Sequence, residues 1–168
     1  MSGTDARSRV GSDAVTAVQV RMGELAVGGA DTTFRALLGS CVGVVLFDHE
    51  AGVAGMAHVV LPSSTSHDGP PGKFADTAVA ELIQQLETLG GRHPRLRAKM
   101  AGGSRMFGTS AAVPIGDQNV EAVLAQLSSA GIPVTGSDCG GTSGRRMNFS
   151  VATGRAIIEA VGAARKEI

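Results

Sequence analysis

The chain reads as a layered α/β (mixed α+β) sandwich, a mixed β-sheet packed with two principal helices, and three observations predict that class. Short alternating or β-branched segments fill the N-terminal part. Two amphipathic stretches at helical spacing follow, each closed by glycine. Further strand-like segments are interleaved with them. Taken in order, residues 18–22 alternate and predict a strand, as do residues 33–38, 41–48 and 53–61, the last stopped by Pro62. Residues 63–72 form a loop. Asp76 is the expected N-cap of a helix whose apolar positions Ala78, Val79, Leu82, Ile83, Leu86 and Leu89 recur at helical spacing before Gly90-Gly91. Residues 96–101 predict a strand running into Gly102-Gly103, and residues 119–130 a second helix closed by Gly131 with Pro133 behind it. Residues 132–137 and 147–151 supply the remaining strands. Residues 1–14, rich in Ser, Gly, Asp and Arg, are expected to be disordered, and residues 15–168 to form one domain without internal repeats.

Composition narrows the function classes. With 168 residues, 15 basic against 15 acidic side chains and 43% hydrophobic residues, the chain is long enough to bury roughly 70% of its unfolded surface. The absence of Trp and Tyr, the five Phe and the even charge balance withhold the stacking platforms and phosphate-neutralising charge that nucleic-acid binding needs. No apolar stretch approaches the length of a membrane span, and residues 1–13 are polar without a signal-peptide core, so a cytoplasmic location is expected. In a reducing compartment Cys41 and Cys139 are expected as free thiols, although a pairing of the two stays open at this level.

The residues that point to chemistry are Cys41, which opens a β-branched run behind Gly39-Ser40, and His58 in the next apolar segment. A thiol and an imidazole are the minimum parts of a cysteine nucleophile, because thiolate reacts and an imidazole can take the thiol proton. The polar, Gly-ended connection at residues 48–52 folds the second segment back on the first, so that its end meets the start of the first. The plainer reading is that both are packed core residues. Gly39 and Gly43 on either side of the thiol tell against it, since a packing cysteine needs neither a positive φ nor extra room. The backbone N–H groups around Ser40 and Val42 are the natural oxyanion donors.

Other features carry less. Gly102-Gly103, Gly116, Gly140-Gly141 and Gly144 lack the strand-turn-helix grammar of a nucleotide site and read as turns around a site. His49, His67, His93 and Cys139 lack ligand spacing, so no metal is expected, and no cofactor. Met106 and Phe107 beside the glycine turn are either core plugs or an exposed contact for substrate or partner.

Together these segments resemble the CheD family of chemoreceptor glutamine deamidases. The resemblance runs from about residue 18 to residue 158, through Leu38-Gly39-Ser40-Cys41-Val42, Ala57-His58-Val59, Lys73-Phe74-Ala75-Asp76-Thr77-Ala78, Ala98-Lys99-Met100-Ala101-Gly102-Gly103 with Met106-Phe107, Ile115-Gly116-Asp117-Gln118-Asn119, and Gly140-Gly141 with Gly144-Arg145. It implies that residues 15–168 are a single catalytic domain in which Cys41 and His58 hydrolyse glutamine carboxamides of methyl-accepting chemotaxis receptors to glutamate through a thioester. A receptor methylesterase side activity is chemically related. It also implies a CheC-type phosphatase as partner, and hence the alternative of a non-enzymatic module that regulates such a phosphatase. One departure stands out: the family places a histidine-orienting threonine where this chain has Arg35. Thr33 shares that strand face but lies about 6–7 Å further along, which leaves Thr33, Ser40 or a backbone carbonyl as orienting group and Arg35 as an electrostatic aid to the thiolate.

Overall fold

The computed structural model describes residues 14–106 and 113–168, so the segment expected to be disordered lies outside the described residues apart from Ala14, as does Phe107. The elements run β1 (Thr16–Gln19), β2 (Leu25–Gly28), β3 (Thr32–Leu38), β4 (Val42–Asp48), β5 (Val53–Val59), α1 (Ala75–Thr88), β6 (Arg97–Gly102), α2 (Ile115–Ser129), β7 (Val134–Cys139), β8 (Arg145–Ser150), β9 (Arg155–Ala160) and β10 (Lys166–Glu167).

The strands divide between two five-stranded sheets. A central sheet has the order β2-β5-β4-β6-β7, and an outer sheet the order β1-β3-β8-β9-β10. Each contains one parallel pair, β6/β7 and β1/β3, among antiparallel ones. The helices cover one face of the central sheet and the outer sheet covers the other, giving the layered α+β class that the patterning predicts.

This arrangement explains the two kinds of strand pattern. β4 and β5 lie in the middle layer, and their side chains serve two cores. Val42, Val44, Leu46, Ala57 and Val59 pack with Leu82 and Leu86 of α1 and Val123 and Leu127 of α2. Val45, Ala54 and Met56 pack against Phe34, Leu38, Met147 and Phe149 of the outer sheet. A strand buried on both faces reads as a continuous apolar run. β3 is covered on one face only and alternates, with Phe34, Ala36 and Leu38 inward and Arg35 and Leu37 outward.

Several boundaries differ from expectation. The first strand lies earlier than residues 18–22, because the chain turns at Arg21–Glu24 with Gly23 at φ +81° and Glu24 N–H on the Arg21 carbonyl at 2.9 Å. Asp76 stands in the first turn of α1 behind the N-cap Phe74, and its carboxylate accepts from the Ser64 amide at 2.9 and 3.0 Å and from the Ser64 hydroxyl at 2.9 Å. It therefore anchors the loop before the helix. The second helix begins at Ile115, so Gly116 is helical and not a turn: a Cβ there would stand 2.5 Å from the Ser104 carbonyl oxygen and 2.6 Å from that of Gly103. Only glycine lets α2 approach that turn so closely.

Candidate active site

Cys41 ends the link from β3 to β4, and the β4/β5 register pairs Gly43 with His58 and Val42 with Val59. The two-residue period puts Cys41 and Gly43 on one face, so Cys41 and His58 are diagonal neighbours on the face turned to the outer sheet, with backbone positions about 7 Å apart by strand geometry. Both are buried, at 7% and 3% exposure. Gly43 matters for space: a Cβ there would be 3.1 Å from Leu38 Cδ1 and 3.4 Å from Met147 Sδ, so its absence lets the outer sheet close down opposite His58.

The histidine ring is held by backbone. His58 Nδ1 lies 2.9 Å from the Val20 carbonyl oxygen, and because a carbonyl only accepts, Nδ1 carries the proton and Nε2 the lone pair. Among the described residues Nε2 has no hydrogen-bond partner although it is buried. Val20 is held in turn by its own N–H, which donates to the Arg35 carbonyl at 2.8 Å. The position where the family resemblance expects a side chain thus reaches His58 through main chain. The His58 amide and carbonyl are fixed by Glu24 O at 3.0 Å and Gly23 N–H at 2.9 Å.

The three carbonyls around the thiol are also committed. Gly39 O accepts from Ser104 N–H at 2.9 Å, Ser40 O from Asn119 Nδ2 at 3.0 Å, and Cys41 O from Gly103 N–H at 2.8 Å. Among the described residues no acceptor takes the Ser40 or Cys41 amide N–H. These are donors available to an oxyanion. Val42 lies inside the β4 ladder, whereas Ser40 and Cys41 precede it.

Electrostatics favour a neutral pair at rest. Burial raises the Cys41 thiol above its ordinary value. Burial also lowers His58 below the usual histidine range, partly offset by the bond to Val20 and by the charge of Glu24. Cys139, pushed up to about 11 by burial, is a free thiol in a different cluster, and Cys41 is free as well.

The other residues singled out from sequence fall elsewhere. Thr33 and Arg35 project from the outer face of the outer sheet, beside Asn148 and Arg146, because alternate residues of β3 point away from the core. Arg35 therefore does not stand over the thiol, and of the three orienting groups left open by the sequence, Thr33, Ser40 or a backbone carbonyl, it is a backbone carbonyl, that of Val20, that holds the ring. Met106, 43% exposed, covers Gly39, with Cγ 3.3 Å from where a Cβ would be. It lines a cleft of about 740 Å³ together with Leu37, Gly144, Arg146 and Val161, directly beside the cysteine link. His93 bonds the Ala130 carbonyl at 2.7 Å and His67 stacks on Phe74, while no group of three or more metal-type ligands occurs among the described residues. Asn119 was missed as a site residue, because its partners are backbone atoms distant in sequence.

The family model for CheD chemotactic sensory transduction matches residues 60–160. A probable chemoreceptor glutamine deamidase CheD of Methanococcus vannielii is 40% identical over 143 residues, 84% of this chain and 93% of that protein. The chain belongs to the CheD family. The chemoreceptor glutamine deamidase CheD of Halalkalibacterium halodurans is 43% identical, covering 90% of this chain and 98% of that protein, and a probable CheD of Geobacillus kaustophilus is 44% identical over 90% and 97%. The CheD model match begins after both Cys41 and His58, so the roles of these two residues rest on geometry. No described helix is long and apolar enough to cross a membrane.

Proposed function

We propose that this chain is a cysteine-dependent hydrolase that converts glutamine carboxamides of chemoreceptors to glutamate. The observation that carries the reading is the buried His58 ring, held as the Nδ1–H tautomer with Nε2 unpartnered among the described residues, on the same sheet face as Cys41. The relatives named as deamidases supply the substrate class.

In the proposed steps Nε2 takes the thiol proton as sulfur attacks the carboxamide carbon. The oxyanion accepts the Ser40 and Cys41 amides. The imidazolium proton passes to the substrate nitrogen, the C–N bond breaks and ammonia leaves, giving a thioester. Water then attacks, returns a proton to Nε2, and the C–S bond breaks to release glutamate and the thiol. Because the pair is neutral at rest, proton and sulfur move together, without a standing thiolate. A glutamyl methyl ester offers the same acyl centre with methanol as leaving group.

The cleft beside Gly39 suits an apolar protein surface, since Leu37 is 60% and Val161 95% exposed. That exposed rim also favours a second reading, in which a CheC-type phosphatase occupies the same face. Ammonia release from a receptor cytoplasmic fragment, compared for wild type, Cys41→Ser and a binding-only control with the phosphatase, tests both. Release with wild type and none with Cys41→Ser supports the hydrolase; phosphatase binding without any release supports the module.

A further inference from the structure

We propose that Asn119 is a positioning residue that sets the spacing between nucleophile and base. The inference rests on the cysteine–histidine reading above. The β4/β5 ladder ends at Val42↔Val59; beyond it the Val60 and Leu61 amides turn away to the Lys73 carbonyl at 2.8 and 3.1 Å. Where the next rung would be, the Asn119 side chain stands in. Its Nδ2 donates to Ser40 O at 3.0 Å and to Val60 O at 2.9 Å, one carbonyl immediately before the cysteine and one two residues after the histidine. Two acceptors facing one another need a group with two donors and no charge, which a carboxamide supplies. The same contacts settle which end of the amide faces them.

The energetic cost points to function. Asn119 is fully buried, and its Oδ1 has no partner among the described residues. A residue retained for stability alone would not leave a buried acceptor open. Among the described residues the three such atoms, His58 Nε2, Ser104 Oγ and Asn119 Oδ1, belong to residues that hold or flank the Cys41 link. α2 is seated there by Gly116 against the same Gly103-Ser104 turn that takes the Cys41 and Gly39 carbonyls. Losing the clamp frees the link and the end of β5 to part, and displacements of about 1 Å at a reacting pair cost up to ~100-fold in rate.

The test is the pH profile of Cys41 alkylation by iodoacetamide, read by peptide mass with Cys139 as internal control, in wild type, His58→Ala, Asn119→Ala and the milder Asn119→Ser. His58→Ala is expected to move the profile toward that of an isolated buried thiol. Asn119→Ala should move it the same way, with kcat for deamidation about 10- to 100-fold lower and KM within about threefold, and Asn119→Ser should fall between. A wild-type alkylation profile in the folded fraction of both Asn119 variants, with kcat falling only as folded protein is lost, overturns the proposal. A profile that His58→Ala leaves unmoved overturns the cysteine–histidine reading itself, and the role of Asn119 with it.

Discussion

The two ends of β4 are built from similar materials and treated in opposite ways. At the Asp48 end a fully buried carboxylate is saturated: it accepts from the Ala51 amide at 3.0 Å, the Arg92 amide at 2.9 Å and Arg95 Nε at 2.9 Å. At the Cys41 end the buried polar atoms His58 Nε2, Asn119 Oδ1 and Ser104 Oγ are left without partners among the described residues. Saturation ties the hairpin to the chain after α1 and contributes stability. Open valences contribute none, and they are what a reacting substrate needs. One strand thus separates the group that holds the fold from the groups proposed to do chemistry.

The largest effects are expected at the open end. Cys41→Ser should lower deamidation by at least about 10⁴-fold and His58→Ala by about 10²–10⁴-fold, with thermal unfolding close to wild type, measured as ammonia release against circular dichroism melts. The reverse behaviour is expected at the saturated end. Asp48→Ala removes an acceptor from two backbone amides and Arg95, and should cost about 2–4 kcal/mol in denaturant unfolding while folded molecules keep kcat within about twofold.

Acid should also separate the ends. His58 is lowered by burial, so kcat/KM should hold through neutral pH and fall only below 6.5, as Nε2 takes a proton in the free enzyme. In the same range stability falls modestly, because the unfolded chain binds that proton more readily than the folded one. For Asp48 burial works to raise the carboxyl, but its three hydrogen bonds and the Arg95 charge outweigh it and leave the group below the usual range. Its stabilisation should therefore persist until pH drops below 3.8. A pH series following both activity and melting temperature checks the order of the two losses. Smallest of all, Thr33→Ala and Arg35→Ala should change deamidation less than about twofold, since both side chains lie on the far face of the outer sheet.

What was legible in the sequence follows from which atoms do the work. Cys41 and His58 could be paired from the two apolar runs and the short polar connection, because folding back a hairpin brings the start of the first near the end of the second; that they share a face comes from the register. The orienting group could not, since it is the Val20 carbonyl and any residue supplies one. Asn119 escaped for the same reason, its amide reading backbone at Ser40 and Val60. Among the elements, α1 was plain from its apolar spacing. β2, four residues ending in glycine, and β9, whose Arg, Ala and Glu are weak strand formers, were set by pairing with neighbours rather than by local preference.

The decisive question is whether the open end of β4 performs hydrolysis through Cys41. Peptide mass spectrometry of a receptor cytoplasmic fragment treated in H₂¹⁸O decides it. Wild type should convert specific glutamines with a gain of about three mass units, about one in ordinary water, and Cys41→Ser should leave them unchanged. Unmodified glutamines with folded wild type, or the same gain with Cys41→Ser, would contradict it.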